Sequence, residues 1–163
     1  MCGPEGCAIF YVAAERRDEL DVIENGWTNI DRKGKFILTP TELLPDARRF
    51  EAGSLNTNGI YGLRAAIELL LEIGIDSVAR QALAVASYLA DGLESIGWRV
   101  ATRPVASAIV GATPPSVERT LLQWHRYLEE NGVVCAPREG LLRFSPHWYN
   151  DEDEVGRIVA LLR

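Results

Sequence analysis

Lysine is almost missing from this chain. Among 163 residues only Lys33 and Lys35 carry an amine side chain, both inside the polar turn Arg32-Lys33-Gly34-Lys35. Histidine is as scarce: His125 and His147 lie far apart, and with three scattered cysteines they form no metal-ligand spacing. Those cysteines, Cys2, Cys7 and Cys135, are an odd number for a disulfide framework, so reduced thiols in a cytoplasmic protein are the simplest account. No apolar run approaches the roughly 20 residues that a membrane span needs. The sequence as given also opens without a basic-then-apolar leader. Basic charge is in deficit, 17 Lys and Arg against 23 Asp and Glu for a net charge of -6. That balance argues against nucleic acid and anionic membranes as partners.

What is present suffices for an ordinary globular core, with 47% hydrophobic and 25% charged residues. The length suits one domain, with room for a fragment of another. The organising stretch runs from Arg49 through Gly53-Ser54-Leu55-Asn56-Thr57-Asn58-Gly59 into a hydrophobic helix. Ile60, Leu63, Ile67, Leu70 and Leu71 follow steps of three and four, predicting one buried face, and Gly74 stops the helix. The loop before it is rich in glycine, hydroxyls and amides. Such a loop at a helix start can present N–H groups to a phosphate or carboxylate. Equally, Ser54, Asn56 or Asn58 can simply cap the helix.

Elsewhere, Cys7–Val12 is a continuous apolar run and predicts a strand buried on both faces. Residues 13–45 read as a long excursion with one short helix near Glu15–Leu20. Asp76 can cap a second helix with Val78, Ala82, Val85, Leu89, Leu93 and Ile96 inward, ended by Gly97. Trp98–Thr102 and Ala106–Ala112 predict two antiparallel strands around Pro104. Pro114-Pro115-Ser116 predicts the start of a third helix with Val117, Leu121, Trp124 and Leu128 inward, ended by Gly132. Two further strands follow at Val133–Ala136 and Leu141–Ser145. Asn150 is then expected to cap a final helix, whose first turn holds Asp151 to Glu154. The fold class is α+β: a small, mostly antiparallel sheet covered by helices.

Four blocks in order carry a resemblance. Gly3-Pro4-Glu5-Gly6 before an apolar run, Arg49-Phe50-Glu51-x-Gly53-Ser54-x-Asn56, and Arg143-x-Ser145-x-His147-x-Tyr149-Asn150 are joined by Gly26-Trp27 in the excursion. Together they resemble the C-terminal part of class V aminotransferase-fold enzymes. These are fold-type I, pyridoxal-phosphate-dependent proteins that include cysteine desulfurases, selenocysteine lyases, kynureninases and isopenicillin-N-epimerase-like proteins.

The resemblance implies a fold, a cofactor and site residues. Residues 1–47 correspond to a remnant of the large cofactor-binding domain with its connecting excursion, and 48–163 to the C-terminal small domain. Gly53, Ser54 and Asn56 fall where the family touches the phosphate of pyridoxal phosphate, commonly across a dimer interface; Ser54 replaces the more usual threonine. Arg143 falls where the family grips the substrate α-carboxylate, a role suited to a planar guanidinium. On the residues alone Arg143 also reads as a strand residue with its head in solvent. The family's cofactor-holding lysine precedes the Gly-Pro-x-Gly turn, and neither Lys33 nor Lys35 does. The expectation is therefore a fragment of a cytoplasmic, homo-oligomeric enzyme acting on an amino acid, inactive alone. The alternative is a non-catalytic dimerisation or protein-interaction module. Cys135 reads as a structural strand thiol, His147 as packed or capping, and His125 as lacking an evident partner.

Overall fold

Steps of three and four between apolar residues lay out the α-helices of the chain, and Gly74, Gly97 and Gly132 follow the first three of them. In a computed structural model, residues 3–31, 42–116 and 118–163 are described. Cys2, the Arg32-Lys33-Gly34-Lys35 turn and Val117 lie outside them. The chain divides into two compact units, Met1–Leu69 and Leu70–Arg163.

In the first unit, a 3-10 helix spans Ala14–Glu19 and a second spans Ala47–Phe50. Asp46 caps the second by accepting from the Arg48 amide at 3.0 Å. An isolated antiparallel bridge joins Ile30 to Leu43. The run Cys7–Val12 is not the buried strand that its composition predicts. It forms no ladder, and Ile9, Phe10 and Tyr11 are exposed. Phe10 instead meets Phe50 edge-on at 5.3 Å between ring centres. An apolar run specifies a strand only when another strand satisfies its backbone groups.

Helix α1 (Thr57–Ile73) follows. Leu63 and Leu70 are buried, whereas Ile60 and Leu71, expected inward, are 43% and 62% exposed. Gly74, at φ 91°, separates α1 from α2 (Ile75–Ser95). Gly74 is also the N-cap of α2, so Asp76 sits inside the first turn and is not the cap that the sequence suggested.

In the second unit, α2 buries Ala82, Val85, Ala86, Leu89, Ala90 and Leu93. That stripe continues the predicted one. Strands β1 (Arg99–Val100), β2 (Val110–Thr113), β3 (Ala136–Arg138) and β4 (Leu141–Phe144) form an antiparallel sheet in the order β1-β2-β4-β3. Val110 pairs with Phe144 and Ala112 with Leu142, and these four side chains are buried in the core. Strand parity then turns Gly111 and Arg143, a pair one residue out of phase, to the other face.

Helix α3 (Leu121–Glu130) starts later than the Pro114-Pro115-Ser116 signal predicts. The Thr120 hydroxyl accepts from the Gln123 amide, and the Gln123 side chain accepts from the Thr120 amide, a reciprocal cap that fixes the start. Leu128 is buried, and Trp124 meets Trp98 edge-on at 5.5 Å. The buried Trp98 donates its indole N–H to the Leu162 carbonyl at 3.3 Å. Helix α4 (Glu152–Leu161) is capped by Asp151 and not by Asn150. Asp151 accepts from the Glu154 amide at 2.9 Å. Asn150 lies one residue too early and accepts from the His147 amide at 2.7 Å.

Leu93 is fully enclosed by this core. Leu93→Ala is expected to lower the unfolding free energy by about 2–5 kcal/mol in a urea titration, because removed contacts and an unfilled cavity add. A loss below about 0.5 kcal/mol, the range of surface substitutions, would show that the helix does not pack as described.

Candidate functional site

The loop ahead of α1 is built by residues distant in sequence. Asn29 is fully buried. Its Oδ1 accepts from the Gly26 amide at 3.0 Å, and its Nδ2 donates to the carbonyls of Glu24 and Arg49 at 2.8 and 3.2 Å. Thr28 donates to the carbonyls of Glu51 and Gly53. Gly26 lies so close to the Ala52 carbonyl that a Cβ would stand 1.6 Å from its oxygen. Only glycine permits this approach. Arg49 adds an ion pair to Asp18 at 2.5 Å. At the other end of the short helix, the Arg48 guanidinium holds the Asp46 carboxyl down to about 2.

On this frame sit three of the residues singled out from the sequence. A Cβ on Gly53 would find nothing nearer than Trp27 Nε1 at 4.0 Å, so the backbone there is open to approach. Ser54 is exposed, and its hydroxyl is unbonded. Asn56 caps α1, its Oδ1 accepting from the Gly59 amide at 3.0 Å. Of the capping candidates Ser54, Asn56 and Asn58, Asn56 is the one used. Thr28 and Asn29 were not singled out; Gly26-Trp27 beside them was the available signal.

Arg143 belongs to the second unit. It occupies the centre of β4, opposite Gly111 on β2 and Ala136 on β3. The side chain is half-buried, makes no ion pair, and holds its Nε away from solvent without a hydrogen-bond partner. A buried donor left unmade costs roughly 1–3 kcal/mol, so a ligand that accepts from it gains by comparison with water. Arg143 lines a cleft of about 510 Å³ together with Cys135, Tyr149, Asn150, Glu154 and Arg157. The volume is within the range of roughly 300–1,000 Å³ usual for small-molecule sites.

The titratable neighbours are quieter. Burial pushes the Cys135 thiol up to about 11, and the negative charge of Glu129 adds to the effect. His125 has a partner after all: its Nε2 lies 3.1 Å from the Cys135 carbonyl. The His147 ring stacks on Tyr149 at 5.0 Å and 23°, and burial lowers its pKa. A depressed value keeps the imidazole neutral at physiological pH. Among the described residues no group of His, Cys, Asp and Glu could hold a metal ion, and no helix is long and apolar enough to cross a membrane.

Comparison with known proteins adds a family. The model described as aminotransferase class-V matches residues 1–158. An uncharacterized aminotransferase of Bacillus subtilis is 27% identical over 98% of this chain and 41% of its own length. The apo cysteine desulfurase of Thermococcus onnurineus shares the fold with a TM-score of 0.79 at 22% identity, over 93% of this chain and 40% of that one. A variant of C-DES with glycine covalently linked to its PLP cofactor gives a TM-score of 0.80 at 22% identity, with the same coverage. The chain thus spans about two-fifths of the length of these relatives.

Cys135 is expected to resist alkylation. At pH 8 only roughly one thiol in a thousand is ionised when its pKa is near 11. The rate of iodoacetamide labelling at Cys135, mapped by mass spectrometry, should climb about tenfold per pH unit towards that value. Fast labelling at pH 7.5 in the folded protein would contradict the burial described.

Proposed function

The chain belongs to the aminotransferase class-V family, and we propose that it supplies the substrate- and phosphate-binding part of a pyridoxal-phosphate enzyme acting on an amino acid. The observation that carries this reading is Arg143, a half-buried guanidinium with an unpartnered Nε lining a cleft of ligand size. A planar cation so placed suits the two parallel hydrogen bonds of an α-carboxylate. The residues of the first loop fit a phosphate: Gly53 leaves its backbone open, Ser54 offers an unbonded hydroxyl, and α1 begins just beyond. Asn56 contributes by fixing that helix start.

Pyridoxal phosphate, when bound, draws electrons from the substrate's α-carbon. This chain's own residues orient the carboxylate and anchor the phosphate. Lys33 and Lys35 both follow the Gly3-Pro4-Glu5-Gly6 turn, and in this reading the chain alone turns over no amino acid. In this reading residues 1–47 are the remnant of a cofactor-binding domain and 48–163 the small domain of a cytoplasmic homo-oligomer. A second reading, a non-catalytic dimerisation or interaction module, is favoured by large apolar side chains left in water: Tyr11, Ile23 and Leu71 are 83%, 93% and 62% exposed.

Incubation with pyridoxal phosphate, reduction with sodium borohydride and peptide mapping test the first reading. No pyridoxyl group is expected on Lys33 or Lys35, and no amino acid should be turned over. A stoichiometric, catalytically competent adduct on either lysine would refute the claim that the chain is inactive alone.

A further inference from the structure

The cleft beside Arg143 holds a second cation that neither the sequence pattern nor the family reading uses. Arg157, on α4, lines the same cleft of about 510 Å³. It makes no ion pair and no hydrogen bond. The acid nearest in sequence on that helix, Glu154, accepts from the Asp151 amide at 3.2 Å and from Asn150 Nδ2 at 2.9 Å. Its carboxylate is therefore occupied with the start of the helix. Arg143, Arg157 and Glu154 are the charged residues lining the cleft, so its formal balance is two positive charges against one negative. Arg143 comes from a central strand and Arg157 from a helix, so the two guanidiniums are held by separate elements of one unit. Two cations on separate supports suit an anion with two separated charges better than a single compact one.

We infer that Arg157 is a specificity-determining residue, pairing with the distal carboxylate of a dicarboxylic amino acid whose α-carboxylate is held by Arg143. The inference rests on the reading of Arg143 as the carboxylate grip. The rest of the lining is largely apolar, with Leu89, Val133, Phe144, Val155 and Ile158 forming a wall for a methylene spacer between two carboxylates. Cys135, the thiol in the cleft, is held protonated by its burial. Tyr149 and Asn150 add neutral polar groups at the rim, where the Tyr149 ring is largely exposed.

Calorimetric titration of the full 163-residue chain at low ionic strength, where such pairs are least screened, separates the possibilities. The probes are glutarate, butyrate of matching chain character, and inorganic phosphate. Glutarate should bind about fivefold more tightly than butyrate, the advantage of one additional partly exposed ion pair. Arg157→Gln should erase that advantage and leave butyrate affinity unchanged, since glutamine keeps the helix and removes only the charge. Arg143→Gln should weaken both carboxylates. Equal binding of glutarate and butyrate, a preference that survives Arg157→Gln, or phosphate binding as tightly as glutarate would each overturn the role of Arg157. If Arg143→Gln still weakens both acids in that case, the carboxylate-grip reading stands on its own. If Arg143→Gln changes neither, or no carboxylate binds, both readings fall.

Discussion

One buried amide holds the loop ahead of α1 in place. Asn29 is the buried polar residue among those described, and its side chain satisfies three backbone groups at once. Each group would otherwise be desolvated without a partner, at a cost of roughly 1–3 kcal/mol. The bonds reach Glu24, Gly26 and Arg49, and so tie the excursion to the segment that leads into Gly53 and Ser54. Thr28 grips the next carbonyls along, and Gly26 allows the two backbones to touch. A loop whose backbone is left open does not satisfy itself with its own ladder. Its rigidity is borrowed from a neighbour, and here the neighbour is a stretch with little regular structure.

In the second unit the constraint is strand parity. Leu142 and Phe144 are drawn into the core by the hydrophobic effect, which fixes the register of β4 against β2. Arg143, between them, then has one direction left. A shift by one residue would bury the guanidinium and expose both apolar side chains, losing roughly 1.5–3 kcal/mol for each of the two. The core therefore positions the cation without touching its charged end.

The sequence disclosed much of this framework and missed parts for identifiable reasons. The α2 stripe from Ala82 to Leu93 and strands β1 and β4 were legible because periodicity reports burial directly, whereas β2 and β3 begin four and three residues later than expected, at Val110 and Ala136. Helix starts were less so: two prolines suggested one for α3, but the Thr120 and Gln123 side chains, several residues on, satisfy the first amides and decide it. The shift from Asn150 to Asp151 at α4 has the same cause. Cys7–Val12 reads as a strand from its apolar content alone, but that content supplies no pairing partner. Asn29 was illegible in principle. Nothing in a polar stretch distinguishes an asparagine that will be enclosed from one that will face water until the segments around it are brought together. Arg157 was likewise hidden, since a charged residue on an exposed helix face ordinarily signifies nothing.

The cleft in the second unit sets a thiol beside two guanidiniums, and their chemistry differs. Sulfur transfer to a protein cysteine requires a thiolate, since the thiol itself is a poor nucleophile. Cys135, beside Arg143 in the cleft, is pushed the wrong way for that task by its own burial and by Glu129. The cleft instead concentrates positive charge, from Arg143 on the strand and Arg157 on the helix. Desolvation and the neighbouring carboxylate both keep a proton on the thiol, and the two cations in the same cleft do not reverse that direction. Within the second unit, then, burial keeps the Cys135 thiol protonated in a cleft whose lining carries two cations.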